Sequence, residues 1–218
     1  MSAKPSPLPG SIHGPIPGPI PSERLLGPDA MAAWLGSGHG ALFPTDTLPA
    51  LAARPEYASA LWLLKRRPQE KPLILMGADW TQLQPLLGLA WHPEWLAMAQ
   101  WGWPGALTLV LPAVGPTVEA LHPGGSSLGL RVPASAAARE LLALSGPLAT
   151  TSANASGQPA AVSADEAAAI FPTLPLLAPV PWPPGGGTAS TVLAWQEEPG
   201  GTGRWQLLRR GALLPPGI

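Results

Sequence analysis

Positive charge is concentrated in one short segment of this chain. Four of the twelve lysine and arginine residues lie there, within seven positions: Lys65, Arg66, Arg67 and Lys71. The segment leaves a predicted helix at 57–65 and enters a predicted buried strand at 72–78, so rigid elements hold both of its ends. Arginine contacts phosphate in a bidentate manner and lysine acts as a point charge, which suits a clamp for a polyanion such as a triphosphate. The alternative is a merely solvated helix end.

Three polar loops adjoin predicted strands, where α/β sheets tend to place ligand sites. Pro44–Thr47 carries two hydroxyls and a carboxylate, which either hold a small polar ligand or form only a Thr or Asx turn. Thr150–Gly157 carries five hydroxyl or amide side chains and suits a loop that cradles a nucleotide or phosphate, although it is not a Walker loop. The third loop, Thr188–Val192, is a polar turn that enters a strand.

Charge is scarce elsewhere, since charged residues make up 11% of the 218 residues and the formal net charge is -1. A protein whose main task is to coat nucleic acid needs many cations to replace counterions, so that class is excluded. The absence of cysteine excludes disulfides, a thiolate nucleophile and Cys-type zinc sites, and it fits the reducing cytosol. No apolar run approaches the length of a membrane span, so we predict a cytoplasmic protein with no membrane partner.

Proline and glycine are abundant, with 31 and 25 residues, but they are unevenly distributed. Residues 1–22 have proline at nearly every second position, which neither a helix nor an inner strand tolerates. We therefore predict a disordered tail over 1–22 and one folded domain over 23–218. The blocks of leucine and alanine and the ten tryptophans of the chain are typical of a globular protein.

Helix-like and strand-like segments alternate along the folded part. Helices are predicted at 29–38, 57–65, 79–101 (in two pieces), 135–145 and 163–171. Asp29 is the predicted N-cap of the first helix, and Ser163 and Glu166 form a predicted capping box at the last. Strands are predicted at 40–46, 72–78, 106–113, 127–133 and 147–153, with a closing hairpin formed by 188–196 and 203–213. This order predicts an α/β fold in which helices pack on a mixed twisted sheet.

Seven strings occur in a set order along the chain: PTDTLPAL, KRRPQEKPL, WPGALTLVL, SLGLRVP, TTSANASG, ASTVL and LLRRGAL. In this order they resemble the motifs of the YrdC-like (TsaC-type) L-threonylcarbamoyladenylate synthases of single-domain type, across about residues 24–214. The resemblance implies a YrdC-like twisted open mixed sheet with helices packed around a concave basic cavity. It also implies a nucleotidyltransferase that makes threonylcarbamoyl-AMP and pyrophosphate from L-threonine, bicarbonate and ATP, for threonylcarbamoyladenosine modification of tRNA.

The matched motifs also imply which residues bind the substrates. Those implied for ATP are Lys65, Arg67, Lys71, Ser127, Asn154, Ser163 and Arg209. Those implied for L-threonine are Thr45, Arg131, Ser152 and Ser190. No catalytic nucleophile or base is implied, because attack of a carbamate oxygen on the α-phosphate depends chiefly on positioning and charge neutralisation. Mg²⁺ is expected with ATP, held by phosphate oxygens and water without a protein ligand. The role of Asp46 stays open.

The chain departs from the family pattern at three places, one of which is the Pro- and Gly-rich stretch at 179–187, where relatives have a Gly-rich approach to the STV strand. Pro49 and Ala50 stand where many relatives have Tyr and Gly, and 160–162 reads Ala-Ala-Val where they have Ser-Pro-Thr. Two alternatives therefore stay open. One is a non-catalytic member of the same fold that binds double-stranded RNA or tRNA, and the other is a relative that transfers a carbamoyl group to another amine. As a synthase, the protein would depend on a downstream tRNA threonylcarbamoyl transferase complex, and tRNA or double-stranded RNA is a further expected partner.

Overall fold

A computed structural model of the chain describes residues 19–66, 68, 71–198 and 203–217. Most of the predicted tail, residues 1–18, lies outside the described residues, as does the predicted phosphate ligand Arg67. Ile20, which the sequence places in the tail, packs against the main hydrophobic core. A short 3-10 helix begins at Ser22. The described fold therefore includes the last residues of the segment that we assigned to the tail.

The strands of the described residues form one mixed sheet. They are β1 (Leu25–Leu26), β2 (Ala41–Phe43), β3 (Ala50–Ala53), β4 (Ile74–Met76), β5 (Leu107–Pro112), β6 (Ser127–Arg131), β7 (Leu148–Ser152), β8 (Leu176–Leu177), β9 (Thr191–Glu197) and β10 (Gly203–Arg209). Their order across the sheet is β1-β8-β2-β3-β7-β4-β6-β5-β9-β10. Parallel pairs, such as β4 with β6, adjoin antiparallel pairs, such as β6 with β5. The predicted α/β fold with an open mixed sheet is confirmed.

Helices cover the two faces of the sheet to different extents. The α-helices of the described residues are α1 (Pro28–Gly36), α2 (Ser59–Lys65), α3 (Trp80–Leu83), α4 (Pro93–Gly102), α5 (Pro116–Leu121), α6 (Ala136–Ser145) and α7 (Ala164–Ile170). Successive strand residues face opposite sides, so Leu75, Leu109 and Leu130 build one core with α2, α3, α4, α5 and α7. On the other face α1 and α6 pack on Phe43 and Met76. They cover only part of that face, and the uncovered part is the floor of a cavity.

Most predicted elements are present, and the differences have physical causes. The sequence does not predict β3 because Ala50–Ala53 has neither alternation nor β-branched residues, although all four residues are buried. It does not predict α5, which is only six residues long. Asp29 is not the N-cap of α1: Pro28 occupies the first helical position and Gly27 is the cap, so Asp29 lies in the first turn. The closing hairpin is confirmed by the antiparallel pairing of β9 and β10.

The predicted cap of α7 is present in a modified form. Ser163 Oγ accepts a hydrogen bond from the Glu166 backbone N–H at 3.2 Å. The Glu166 carboxylate accepts one from the Val162 N–H at 2.9 Å. In a standard capping box the Glu166 carboxylate would accept from the N–H of the cap residue, Ser163, but here it accepts from the residue before it. The Ser163 hydroxyl is occupied by the N-terminus of α7.

Candidate active site

A cavity of about 360 Å³ opens on the partly uncovered face of the sheet. The Pro44–Thr47 turn after β2, the Thr150–Gly157 segment at the end of β7 and the approach to β9 all contribute to it. Its polar lining consists of Thr47, Arg131, Thr150, Thr151, Ser152, Asn154, Gln158, Ser190 and Arg209. Prolines and aliphatic side chains, among them Ile74 and Met76, supply the rest. The described lining therefore presents two cations and many hydrogen-bonding groups but no carboxylate.

Arg131, at the end of β6, is fixed by the turn that follows β2. Its side chain is buried; Nη2 donates to Oδ1 of Asp46 at 2.8 Å and Nη1 donates to Oγ1 of Thr47 at 2.9 Å. Nε donates to the carbonyl of Gly105 at 3.1 Å. Because a guanidinium has five N–H groups, one on each terminal nitrogen has no partner among the described residues. Two N–H groups on one planar guanidinium match the two oxygens of a carboxylate.

The two threonines of the turn occupy different positions. Thr45 Oγ1 donates to the Leu48 carbonyl at 2.7 Å and accepts from the backbone N–H groups of Thr47 and Leu48. Thr47 lines the cavity, and its Oγ1 lies 3.0 Å from that of Thr45. The Thr turn, which the sequence left open as an alternative, is therefore present. It places Thr47 at the cavity and Thr45 behind its wall.

Arg209, the last residue of β10, contacts the residue that precedes β9. The pairing of β9 with β10 shifts register between Leu207 and Arg209, so this irregularity lies next to the arginine. Nε and Nη2 donate to the Ser190 carbonyl at 3.1 and 2.9 Å, and Nη2 also donates to Ser190 Oγ at 3.2 Å. Ser190 Oγ lies 2.8 Å from Oγ1 of Thr108 on β5. Nη1 of Arg209 has no hydrogen bond to a described residue and is available to a ligand.

A buried lysine holds the polar segment that ends β7. Lys65, the last residue of α2, is 2% exposed, and its Nζ donates to the Ser152 carbonyl and to Oδ1 of Asn154, the latter at 2.8 Å. Ser152 Oγ donates to the same Oδ1 at 2.7 Å, and Asn154 Nδ2 donates to the Gln158 carbonyl at 2.6 Å. Lys65 therefore lies behind the cavity wall and positions two residues that line it.

Burial lowers the pKa of both cavity arginines, and the charge of Arg209 contributes to the shift at Arg131. Burial lowers the pKa of Arg131 from its ordinary value; the Asp46 carboxylate opposes this shift, and the positive charge of Arg209 adds to it. Partial burial also lowers the pKa of Arg209. A bound anion would counter both effects, because it supplies the negative charge that the described lining lacks.

The structure brings together only some of the residues that the resemblance implies. Arg131, Ser152, Asn154, Ser190 and Arg209 line the one cavity. Thr45 and Lys65 lie behind its wall, and Lys71 is exposed outside the lining. Arg67 lies outside the described residues.

Two further implied residues lie away from this cavity. Ser127, Gly129 and Arg131 alternate along β6 and face the same side of the sheet. Ser127, however, lines a neighbouring cavity of about 510 Å³, together with residues of β5 and β9. Ser163 belongs to neither lining, and its hydroxyl caps α7.

Sequence reasoning placed Thr47 in a candidate polar turn without giving it a role of its own, and it did not single out Gln158 or Thr108 as site residues. Thr47 and Gln158 line the cavity, and Thr108 contacts Ser190 behind it. For Thr108 a signal was present, because a hydroxyl between two leucines of a buried strand must face the opposite side from them. Gln158 lies in a loop without periodicity, so nothing in its spacing points to the cavity.

Two of the three departures from the family pattern, those at 49–50 and 160–162, fall at the cavity wall. Pro49, Ala50 and Ala160 belong to its lining. These residues contribute only alkyl and backbone groups, so the departures change the wall that faces a ligand. They leave both arginines and the hydroxyls of Ser152 and Ser190 in place.

The described residues include no group of three or more His, Cys, Asp or Glu that could hold a metal ion. A divalent cation bound by this part of the chain would therefore need most of its oxygen ligands from a substrate and from water. Within the same residues, no helix has both the length and the apolar character that a membrane crossing requires.

Comparisons with known proteins agree with the fold. The family model Sua5_yciO_yrdC, described as "Telomere recombination", matches residues 33–211. A threonylcarbamoyl-AMP synthase of Serratia proteamaculans is 39% identical over 142 residues, which cover 62% of this chain and 75% of that protein. The threonylcarbamoyl-AMP synthase of Bacillus subtilis is 37% identical over 145 residues, which cover 63% of this chain but only 41% of that protein.

Solved structures give the same result. The crystal structure of Sua5 from P. abyssi in complex with L-threonine superposes with a TM-score of 0.75 and 30% identity, covering 84% of this chain and 54% of that one. The chain thus spans about half the length of that relative. YciO from E. coli, at 19% identity and a TM-score of 0.71, shares the fold. Because the family model covers most of the chain, this protein belongs to the Sua5/YciO/YrdC family.

Proposed function

We propose that this protein is an L-threonylcarbamoyladenylate synthase, which makes threonylcarbamoyl-AMP and pyrophosphate from L-threonine, bicarbonate and ATP. The observation that carries the proposal is the pair of arginines, Arg131 and Arg209, in one cavity whose described lining has no carboxylate. Two fixed cations suit two anionic groups, the carboxylate of an amino acid and the phosphates of a nucleotide. Relatives 36–39% identical to this chain are named threonylcarbamoyl-AMP synthases, which supports this choice of substrates.

L-threonine would bind at the buried end of the cavity. The two N–H groups of Arg131 that are not bonded to described residues would hold its carboxylate in a bidentate pair. Ser152 would supply a hydroxyl to the remaining polar groups of the amino acid, and Ser190 would supply a second hydroxyl on the side of the carboxylate. Thr47, which fixes Arg131 and also lines the cavity, is the threonine of the turn best placed to contact this substrate.

ATP would bind along the same face of the sheet, toward β9 and β10. Arg209 and Asn154 would contact its phosphates, and the exposed Lys71 would add positive charge at the rim. Ser127 faces the same side as Arg131, about 13 Å along β6 at the usual rise of a strand, so the nucleoside would reach the neighbouring cavity there. Mg²⁺ would enter with ATP as part of the substrate, since the described residues offer no cluster of metal ligands.

The reaction needs no protein nucleophile. The amino nitrogen of threonine forms a bond to the bicarbonate carbon, water leaves, and the resulting carbamate oxygen attacks the α-phosphorus while the bond to pyrophosphate breaks. Two anions must approach each other in this step, so the fixed cations of the cavity favour it by positioning and by neutralising charge. Hydrogen bonds within the protein already orient Arg131, Ser152, Asn154, Ser190 and Arg209, which reduces the reorganisation that binding requires.

Pyrophosphate release tests the proposal. Purified protein with ATP, Mg²⁺ and bicarbonate should release pyrophosphate only when L-threonine is added, and the product should have the mass of threonylcarbamoyl-AMP. Release that does not depend on threonine would refute the substrate assignment and favour a carbamoyl-transfer relative. No release at saturating substrates would favour the non-catalytic RNA-binding alternative.

The product is an activated intermediate, so a separate tRNA threonylcarbamoyl transferase complex would consume it in the cytoplasm. Direct binding of tRNA or double-stranded RNA would be a modest accessory property. In the basic segment, Lys65 is buried and bonded within the protein, which leaves fewer exposed cations for a phosphate backbone than the sequence suggests.

A further inference from the structure

Thr108 is the one hydroxyl residue of β5, whose other residues are leucine, valine and proline. It lies on β5 between Leu107 and Leu109, and its side chain has no exposed surface. Thr108 Oγ1 lies 2.8 Å from Ser190 Oγ and has no other hydrogen-bond partner among the described residues. A buried O–H donor without an acceptor is costly, so the Thr108 hydroxyl must donate to Ser190.

Because Thr108 is the donor, the Ser190 oxygen accepts this hydrogen bond, which limits the other bonds that Ser190 can make. Ser190 Oγ also accepts a hydrogen bond from Nη2 of Arg209 at 3.2 Å. A hydroxyl oxygen has two lone pairs and one hydrogen, so the two incoming bonds occupy both lone pairs. The hydrogen of Ser190 is then the one group left for a further partner. Ser190 lines the cavity, so a ligand there is the partner available to it.

We infer that Thr108 is a positioning residue that fixes Ser190 as a hydrogen-bond donor to an anionic oxygen of the ligand. The inference rests on the proposed function for the identity of that ligand, which is either the carboxylate of L-threonine or a phosphate of ATP. The two sources share one chemistry, a negatively charged oxygen that accepts a hydrogen bond. With both of its lone pairs occupied, Ser190 discriminates against a ligand group that only donates hydrogen bonds.

The hydrogen bond between Thr108 and Ser190 joins the interior of the sheet to the loop before β9. Thr108 is in the interior of the sheet, whereas Ser190 lies in the loop before β9 and Arg209 lies on the edge strand β10. A bond from the sheet interior therefore limits the rotation of a loop side chain that would otherwise be set only by a neighbour on the edge. Without it, the Ser190 hydroxyl regains a free lone pair and can turn its hydrogen away from the ligand.

Substitutions at Thr108 test the inference in the full chain. Thr108→Val keeps the shape of the side chain and removes the hydroxyl, and Thr108→Ser keeps the hydroxyl. Titration calorimetry with L-threonine alone and with ATP alone should show that Thr108→Val raises the Kd of at least one ligand about tenfold, as for loss of a hydrogen bond to a charged group. Thr108→Ser should stay within about twofold of the unsubstituted protein. The ligand whose Kd rises identifies the source of the anionic oxygen.

A double-substitution cycle separates positioning from a merely structural role. If Thr108 acts through Ser190, Thr108→Val combined with Ser190→Ala should bind no more weakly than Ser190→Ala alone. Additive losses, or unchanged Kd values for both ligands in Thr108→Val, would overturn the inference. If Thr108→Val does not fold, Thr108→Ala replaces it in the same cycle with the same expected result.

The Kd comparison for Thr108→Val can fail or succeed independently of the pyrophosphate assay that tests the proposed function. If the unsubstituted protein binds ATP and L-threonine but releases no pyrophosphate, the proposed function fails while the Kd comparison still decides the role of Thr108. If pyrophosphate is released normally and the Kd values do not respond to Thr108→Val, the inference alone fails.

Discussion

The Arg131 guanidinium and the Asp46 carboxylate form an ion pair at the edge of the cavity, with Nη2 2.8 Å from Oδ1. The arginine side chain is 4% exposed and the carboxylate 18%. The same Oδ1 accepts a hydrogen bond from the Ala134 backbone N–H at 3.0 Å, so Asp46 joins the turn after β2 to the loop after β6. This gives Asp46, whose role the sequence left open, a definite one: it compensates and orients the arginine that would hold the substrate carboxylate.

We predict that Asp46→Asn weakens the fold and increases the stabilisation that L-threonine provides. The amide oxygen can still accept both hydrogen bonds, but the buried guanidinium loses its counter-charge, so the free energy of unfolding should fall by about 3 kcal/mol. Bound L-threonine would restore a negative charge. The rise in Tm on adding saturating L-threonine should therefore exceed that of the unsubstituted protein.

Asp29→Asn is the control for this experiment, because Asp29 is an exposed carboxylate in the first turn of α1. It should leave the Tm and its response to L-threonine nearly unchanged. An Asp46→Asn protein as stable as the unsubstituted one, or a smaller Tm response to L-threonine, would contradict the role given to the ion pair.

We predict that replacement of Lys65 loosens residues 152–158 and also weakens the binding of ATP. In Lys65→Met the hydrogen bonds to Ser152 and Asn154 are lost from a buried position, so we expect a loss of about 2 kcal/mol in unfolding free energy. Hydrogen exchange at residues 152–158 should become faster, and ATP should bind more weakly. Lys71→Met is the matched control, because Lys71 is exposed in the same basic segment. Equal protection of residues 152–158 in both variants would contradict the positioning role of Lys65.

We predict that replacement of Arg209 weakens the binding of ATP more than the binding of L-threonine. Its Nη1 has no partner among the described residues, so Arg209→Met should remove a charged contact and raise the Kd for ATP roughly tenfold. The Kd for L-threonine should rise less than the Kd for ATP, because Arg131 remains fixed. Arg210→Met, at the exposed neighbouring position, should bind both ligands normally. A larger effect on L-threonine than on ATP would reverse the proposed placement of the two substrates.

How far the sequence predicts this fold depends on the type of signal. Long alternating or apolar segments such as 127–133 and 135–145 identify β6 and α6 because periodicity and burial agree there. Ala50–Ala53 carries no such signal, since alanine favours no face and the strand is defined by its neighbours β2 and β7. Local capping chemistry is equally ambiguous at Asp29, where the adjacent Pro28 begins the helix instead.

The residues of the site also divide into those that the sequence predicts and those whose placement only the structure shows. Polar residues in ordered motifs, such as Arg131, Ser152 and Arg209, do come together in the cavity. The sequence cannot tell Thr45 from Thr47, because which hydroxyl faces the cavity depends on the conformation of the turn. It also cannot show that Lys65 is buried. The charge of that residue suggests direct contact with phosphate, whereas the structure places its ammonium group against Ser152 and Asn154.

Acid should reduce stability partly through Asp79, the N-cap of α3. A hydrogen bond from the Thr81 hydroxyl, followed by one from the Gln82 backbone N–H, lowers the pKa of Asp79 below its ordinary value of 3.8. A carboxylate with a lower pKa in the folded state stabilises the fold above the unfolded-state pKa, and this contribution is lost as the pH falls through the folded-state value. The Tm advantage over Asp79→Asn at pH 7 should therefore shrink below about pH 4. A difference in Tm that is constant from pH 7 to pH 3 would contradict this assignment.

A crystal structure of the protein with bound L-threonine would show directly where the substrate carboxylate lies. We predict that its carboxylate lies within hydrogen-bond distance of both terminal nitrogens of Arg131, in the cavity that Ser152, Ser190 and Arg209 also line. Binding of L-threonine at another place, or a carboxylate that contacts Arg209 and leaves Arg131 without a ligand, would contradict the role proposed for Arg131.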